Sequence, residues 1–152
     1  MSIFNFEKKQ QIFKIHLSNF YNIDLIDFGS IKYNIFPTPR ISIINANLKN
    51  KENNFDLKAK KLSFSLNLKK IYNFEDFNAR KIILENNELE IDISKFLNLI
   101  NYFHNLKKDI HIKDLNLNLK KDQNILMQIK DINFSNYGYK KYNIKGKIFD
   151  KT

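Results

Sequence analysis

Apolar residues in this chain recur mostly at every second position, and one spacing returns five times. Writing φ for apolar and x for mostly polar, it is φ-x-φ-x-x-φ-x-φ. Its copies are Ile41, Ile43, Ala46, Leu48; then Leu57, Ala59, Leu62, Phe64, continuing to Leu66 and Leu68; then Phe77, Ala79, Ile82, Leu84; then Ile110, Ile112, Leu115, Leu117, continuing to Leu119; then Met127, Ile129, Ile132, Phe134. A strand alternates faces with a period of two, so a two-residue polar step would throw its second half onto the wrong face. One extra residue, accommodated as a β-bulge, restores the original face. Each copy therefore predicts a strand that buckles at its middle and keeps its oily side chains on one side. Several such strands together predict a curved sheet with one greasy and one polar face.

Two segments depart from that period. Phe6 to Tyr21 reads as a helix, with Phe6, Phe13, Leu17, Phe20 and Tyr21 on one face and Asn22 as its C-cap. Residues 94–106 read as an amphipathic helix with Phe96, Leu99, Ile100 and Phe103 as its stripe and Asp92 or Ser94 as its cap. Between the first helix and the repeats, Ile23–Phe28 and Ile31–Ile35 look like a hairpin about Gly29-Ser30. Pro37 and Pro39 then make a stiff turn at a sheet edge, since neither can donate to a ladder. The last strand is expected over Lys141 to Phe149. The predicted fold is thus α+β and mainly β, a curved, bulged antiparallel sheet with an N-terminal helix and one inserted amphipathic helix. Residues 1–152 are read as one domain: helix 6–21, strands 23–93, helix 94–106, strands 109–149.

Composition narrows the chemistry. The net charge of +10 suggests an anionic partner. Yet Lys, Asn, Ile, Phe and Tyr are all specified by A/T-rich codons, and only Arg40 and Arg80 offer the bidentate fork that phosphate readers favour. Most of the charge therefore reads as compositional. Absence of cysteine excludes disulfides, thiolate metal sites and a cysteine nucleophile. No apolar run reaches the ~18 residues of a membrane span, and the first residues do not form a signal peptide. With three glycines, the chain has little from which to build phosphate-cradling loops.

Candidate reactive groups reduce to ordinary ones. His16, His104 and His111 lack metal-site spacing, although His104 and His111 could approach one another. Glu75, Asp76 and Glu85 cluster loosely with Glu88, Glu90 and Asp92; the last three alternate with Leu89, Ile91 and Ile93 as the wet side of a strand does. Tyr137, Tyr139 and Tyr142 interleave with lysines in a way that could stack bases, but a turn at Gly138 accounts for it. No catalytic residue, cofactor or metal is expected, and the chain does not read as an enzyme.

Three stretches resemble the N-terminal region of the AsmA family: Gly29, Ile31 and Tyr33 leading through Phe36-Pro37-Thr38-Pro39-Arg40 to Ile41, Ile43, Asn47 and Leu48; then Ala59-Lys60-Lys61-Leu62, Phe64 and Leu66; then Phe77-Asn78-Ala79-Arg80-Lys81-Ile82 and Leu84. The resemblance covers about residues 6–93. It implies a non-catalytic domain of the Gram-negative envelope, similar to bridge-like lipid transfer proteins, with an apolar β-groove that moves phospholipid between membranes or supports outer-membrane assembly. It implies a periplasmic location and association with the inner membrane through an anchor that this chain lacks, as a fragment would. The expected partners are phospholipid acyl chains, not nucleic acid. Expected lining residues are Ile41, Ile43, Leu57, Leu62, Phe64, Leu66, Ile82, Leu84, Ile110, Ile112, Leu115 and Leu117, with packing beneath the two helices as the plain alternative. Burial of ~0.8 kcal/mol per CH₂ makes such a lining a sufficient acyl site. A second reading is a basic module for nucleic acid or anionic surfaces through Lys60, Lys61, Lys69, Lys70, Lys107, Lys108, Lys140 and Lys141; a third is a structural scaffold segment.

Overall fold

A computed structural model describes residues 6–67, 77–136 and 143–150. Helix α1 spans Phe6–Tyr21, followed by strands β1 (Asp24–Asp27), β2 (Ser30–Asn34), β3 (Arg40–Asn50), β4 (Phe55–Ser65) and β5 (Lys81–Asp92). A 3-10 turn (Ile93–Lys95) leads into helix α2 (Phe96–Asn105), then β6 (Asp109–Lys121), β7 (Asn124–Ser135) and β8 (Asn143–Asp150). The strands form one open, bent sheet in the order β1-β3-β4-β5-β6-β7-β8, with β2 also on β3. It is mainly antiparallel, as the alternation predicts. The β5–β6 pair is parallel, because α2 crosses over between them and brings the chain back to the same end.

Residues 23–35 do not form the expected hairpin. Both short strands pair with β3 instead, β1 with its far half (Lys49 to Asn47) and β2 with its near half (Ile44 to Arg40). The glycine serves this arrangement directly: its N–H donates to the Ile44 carbonyl at 2.8 Å, and a Cβ on Gly29 would sit 3.2 Å from that same oxygen.

The polar doublets are indeed where strands buckle. Left-handed residues Asn45 (φ 55°), Asn86 (54°), Asp114 (55°) and Asp131 (56°) stand at the middles of β3, β5, β6 and β7. Asn and Asp tolerate that conformation at least cost among residues with a Cβ. Lys60 and Lys61 make the same three-residue step in β4, between inward Ala59 and Leu62. The register shows how the kinks cooperate. Ile44 pairs with Lys61 and Ala46 with Ala59; Lys61 pairs with Glu85 and Ala59 with Asn87; Glu85 pairs with Lys113 and Asn87 with Leu115. From β3 to β6 the extra residues lie opposite one another, so the register never slips. These are matched kinks rather than the one-sided bulges expected. True register shifts occur farther on, between Ile112 and Leu115 on the β6–β7 ladder and between Lys130 and Asn133 on the β7–β8 ladder.

A row of kinks across the sheet bends it, and the end of α1 records by how much. The Tyr21 hydroxyl donates to the Asp109 carbonyl at 2.8 Å, in the row of Arg40, Ser65 and Lys81. The neighbouring Asn22 carbonyl accepts from Asn50 Nδ2 at 2.9 Å, at the opposite end of β3. A straight strand would hold those rows about 30 Å apart. The bend therefore encloses the apolar face, and α1 and α2 lie within it.

Candidate functional site

The apolar face forms a continuous wall. Along β3 it runs Ile41, Ile43, Ala46, Leu48; along β4 Phe55, Leu57, Ala59, Leu62, Phe64; along β5 Ile82, Leu84, Leu89, Ile91; along β6 Ile110, Ile112, Leu115, Leu117, Leu119, each at most 4% exposed. Eleven of the twelve expected lining residues belong to it, and Leu66 is half-buried against the same core. The structure thus brings the expected set together on one side. It also covers the set, because the helices fill the bend.

Helix α1 covers the wall with Phe13, Leu17 and Tyr21, all 0% exposed. The Phe13 ring stacks on Phe64 at 5.1 Å and meets Phe77 edge-on at 5.5 Å. Phe20, expected on that face, is 43% exposed, and His16 takes the inward place. The inward row is therefore Phe13, His16, Leu17 and Tyr21, which keeps the bulkiest groups over the cleft left by the bend. His16 is enclosed by Phe20, Phe64 and Phe77, and neither ring nitrogen meets a hydrogen-bond partner among the described residues. Burial, and secondarily the Lys108 charge, lowers its pKa to about 4, so it is neutral at pH 7.

Asp92 caps the 3-10 turn that leads into α2, its carboxylate accepting from the Ser94 N–H at 2.8 Å, whereas α2 itself starts after Lys95 with no side-chain cap, so neither Asp92 nor Ser94 caps the helix as expected. Helix α2 buries Leu99 and Tyr102. The Tyr102 ring meets Phe55 on β4 at 5.3 Å, and its hydroxyl donates to the Tyr21 carbonyl, locking the two helices together. Burial raises the pKa of both tyrosines. On the other flank Phe103 meets Phe134 of β7 at 5.1 Å. Phe96, Ile100 and Phe103 are spaced i, i+4, i+7 and so share the flank that faces β7.

That flank is where the wall emerges. Ile100, expected in the buried stripe, is 44% exposed, and Ile93 and Leu97 beside it are 40% and 71% exposed. On β7 the wall residues Met127 and Ile129 are only half-buried, whereas their partners Leu119 and Leu117 on β6 are closed. Cover thus reaches Ile132 and Phe134 in the second half of β7, 7% and 4% exposed, and thins over Met127 and Ile129 in its first half.

No family model, curated protein or solved structure matches the chain.

The remaining candidates sit on wet surfaces. Glu88, Glu90 and Asp92 face solvent along β5, with Glu90 bonded to Lys120 at 2.6 Å and Glu85 near Lys61 at 3.8 Å. His104 is exposed on α2 and His111 is half-buried on β6. Among the described residues no three metal-ligating side chains converge, and no helix is long and apolar enough to cross a membrane. The lysine pairs fall in separate places: Lys60 lines a furrow along the row of kinks, and Lys107 and Lys108 line a hollow between α1 and α2. Leu68, Lys69, Lys70, Glu75, Asp76 and residues 137–142 lie outside the described residues.

Two features escaped the sequence reading. The hollow of about 690 Å³ between the ends of α1 and α2 is rich in asparagine, which an apolar pattern does not register. Asn87 occupies a wall position at 0% exposure, its Nδ2 donating to the Lys113 carbonyl at 2.9 Å. The signal was there in the spacing: Ile82, Leu84, Asn87, Leu89 is the recurring pattern with one polar member. The copy assigned to Phe77, Ala79, Ile82 and Leu84 is displaced accordingly. Phe77 and Ala79 precede β5, and its kink is at Asn86.

Proposed function

We propose that this chain is a non-catalytic cell-envelope domain that holds phospholipid acyl chains, in transport between membranes or in outer-membrane assembly. The observation that carries the reading is the emergence of a one-sided apolar wall from its helix cover at β7. There Met127 and Ile129 are half-buried, and on α2 the exposed Ile100 shares a face with Phe103, which meets Phe134 of β7. An acyl chain laid along that flank gains ~0.8 kcal/mol per methylene it buries, with no polar contact required. Access to Leu57, Leu62, Ile82 and the other covered residues requires α2 or α1 to lift. The Tyr102–Tyr21 hydrogen bond to backbone adds about 1 kcal/mol to that closure, and the burial of Phe13, Leu17, Tyr21, Leu99 and Tyr102 holds it more strongly still. A periplasmic setting and an inner-membrane anchor in a parent protein belong to the same proposal and rest on the AsmA resemblance.

Native mass spectrometry of protein purified without detergent tests the reading. It predicts co-purified phospholipid, reduced at least fivefold in Ile100→Glu/Ile129→Glu with the fold retained by circular dichroism. Lipid-free protein that binds DNA, with affinity falling steeply in salt, would replace it with the basic-module reading. Against that module stands the separation of Lys60 from Lys107 and Lys108.

A further inference from the structure

A hollow of about 690 Å³ opens between the C-terminal end of α1, the β3–β4 turn and α2. Its size suits one or two small rings. Six of its thirteen lining residues are asparagine, and the furrow along the kinks has five of twelve, so what sets the hollow apart is their arrangement. Their placement is regular. Asn98, Asn101 and Asn105 stand at i, i+3 and i+7, so α2 presents them as one stripe on the hollow's side. Asn19 and Asn22 face them from the last turn and cap of α1. Asparagine inside a helix costs about half a kcal/mol relative to alanine, and α2 carries that cost twice within ten residues, at Asn98 and Asn101.

The facing asparagines of this surface are exposed, and most of their hydrogen-bonding capacity is open to water or to a ligand. Asn22 is engaged by Glu52, but among the described residues the carboxamides of Asn19, Asn98, Asn101 and Asn105 bond to no other protein group. Each carboxamide both donates and accepts. A row of them matches a ligand whose groups also do both, which is the property of hydroxyls. It matches a phosphate or carboxylate poorly, since those only accept and call for cations. The cations at hand are partly committed: Lys108 donates to the side-chain Oδ1 of Asn78 at 2.7 Å and lies 4.7 Å over the Phe20 ring. The floor is rigid, because Tyr102 is bonded to the Tyr21 carbonyl and Tyr21 in turn to the Asp109 carbonyl.

We infer that this hollow is a binding site for a neutral, hydroxyl-rich ligand, a saccharide, held by the facing asparagines of α1 and α2. The site shares no lining residue with the apolar flank beside β7, so it is independent of acyl binding at that flank, although its floor, the Tyr102–Tyr21 link, requires α1 and α2 closed.

The test is titration of isotope-labelled protein with chitotriose and with maltotriose, read on the side-chain amide signals of Asn98 and Asn101. At least one saccharide should shift those signals with millimolar or tighter affinity, little changed between 0.05 and 0.5 M salt. Asn98→Leu/Asn101→Leu should weaken it at least tenfold. Asn101→Ala, which adds no apolar bulk and favours the helix, should weaken it about threefold or more while leaving Tm within a few degrees. Silence of those signals toward both saccharides, or affinity unchanged in the variants, overturns the inference. Stronger shifts with inorganic phosphate than with either sugar overturn it too, assigning the hollow to an anion.

Discussion

The wall has two halves built from the same spacing. Under the helices, β3 to β6 carry kinks in matching positions, an unbroken register and side chains closed to solvent. At their margin, β7 repeats the apolar spacing and its own left-handed Asp131, yet its register slips on both sides, and Met127 and Ile129 remain half open while Ile132 and Phe134 are buried. Identical patterning therefore yields different burial. What differs is the cover: α1 presses Phe13 and Tyr21 onto one half, and α2 reaches β7 with the edge of Phe103. Alternation decides which face is apolar; a second layer decides whether that face is core or surface.

The strongest way to break this contrast is to cut equally on both sides. Phe64→Ala should cost about 3–5 kcal/mol in urea denaturation, since it removes the ring under Phe13 and leaves a cavity. Ile129→Ala should cost about 1 kcal/mol, as its site is half solvated already. Equal losses would mean that β7 is as deeply packed as β4.

Acid should act on the covered half first. His16 has a folded pKa near 4, below its ordinary 6.5, so the unfolded chain binds the extra proton between those values. Its contribution to stability is complete above pH 6.5 and is lost as pH falls toward 4. His16→Phe should flatten that slope, as followed by denaturation at pH 7, 5.5 and 4.5. An unchanged slope would place the sensitivity elsewhere.

A finer test addresses the kinks. Asn86→Ala should cost about 1 kcal/mol, because alanine resists φ near 54°, and Asn86→Gly should restore much of it. The same pair at Asp131 should cost less, since the adjoining β7–β8 ladder already slips there. Thermal melts of the four variants give the comparison.

Much of this was legible in the residues. The doublets at Ile44-Asn45, Lys113-Asp114 and Lys130-Asp131 foretold the kinks, and Phe6–Tyr21 foretold α1 to its ends. Counting only apolar members misled at β5, where Asn87 fills a wall position because its Nδ2 finds the Lys113 carbonyl. The hairpin about Gly29 was a fair local reading overruled by β3, whose eleven residues offer an edge long enough for both short strands. On α2 the greasier Ile100 was expected inside, yet Tyr102 took the place because its hydroxyl reaches the Tyr21 carbonyl. The asparagine hollow was illegible, since it assembles from segments about eighty residues apart.

One measurement addresses the acyl-binding claim directly: a crystal structure with a phospholipid brominated along its acyl chain, located by anomalous scattering. The account predicts bromine against Met127, Ile129 and the Ile100 flank of α2. Bromine confined to the polar face, or none bound at saturating lipid, would contradict it.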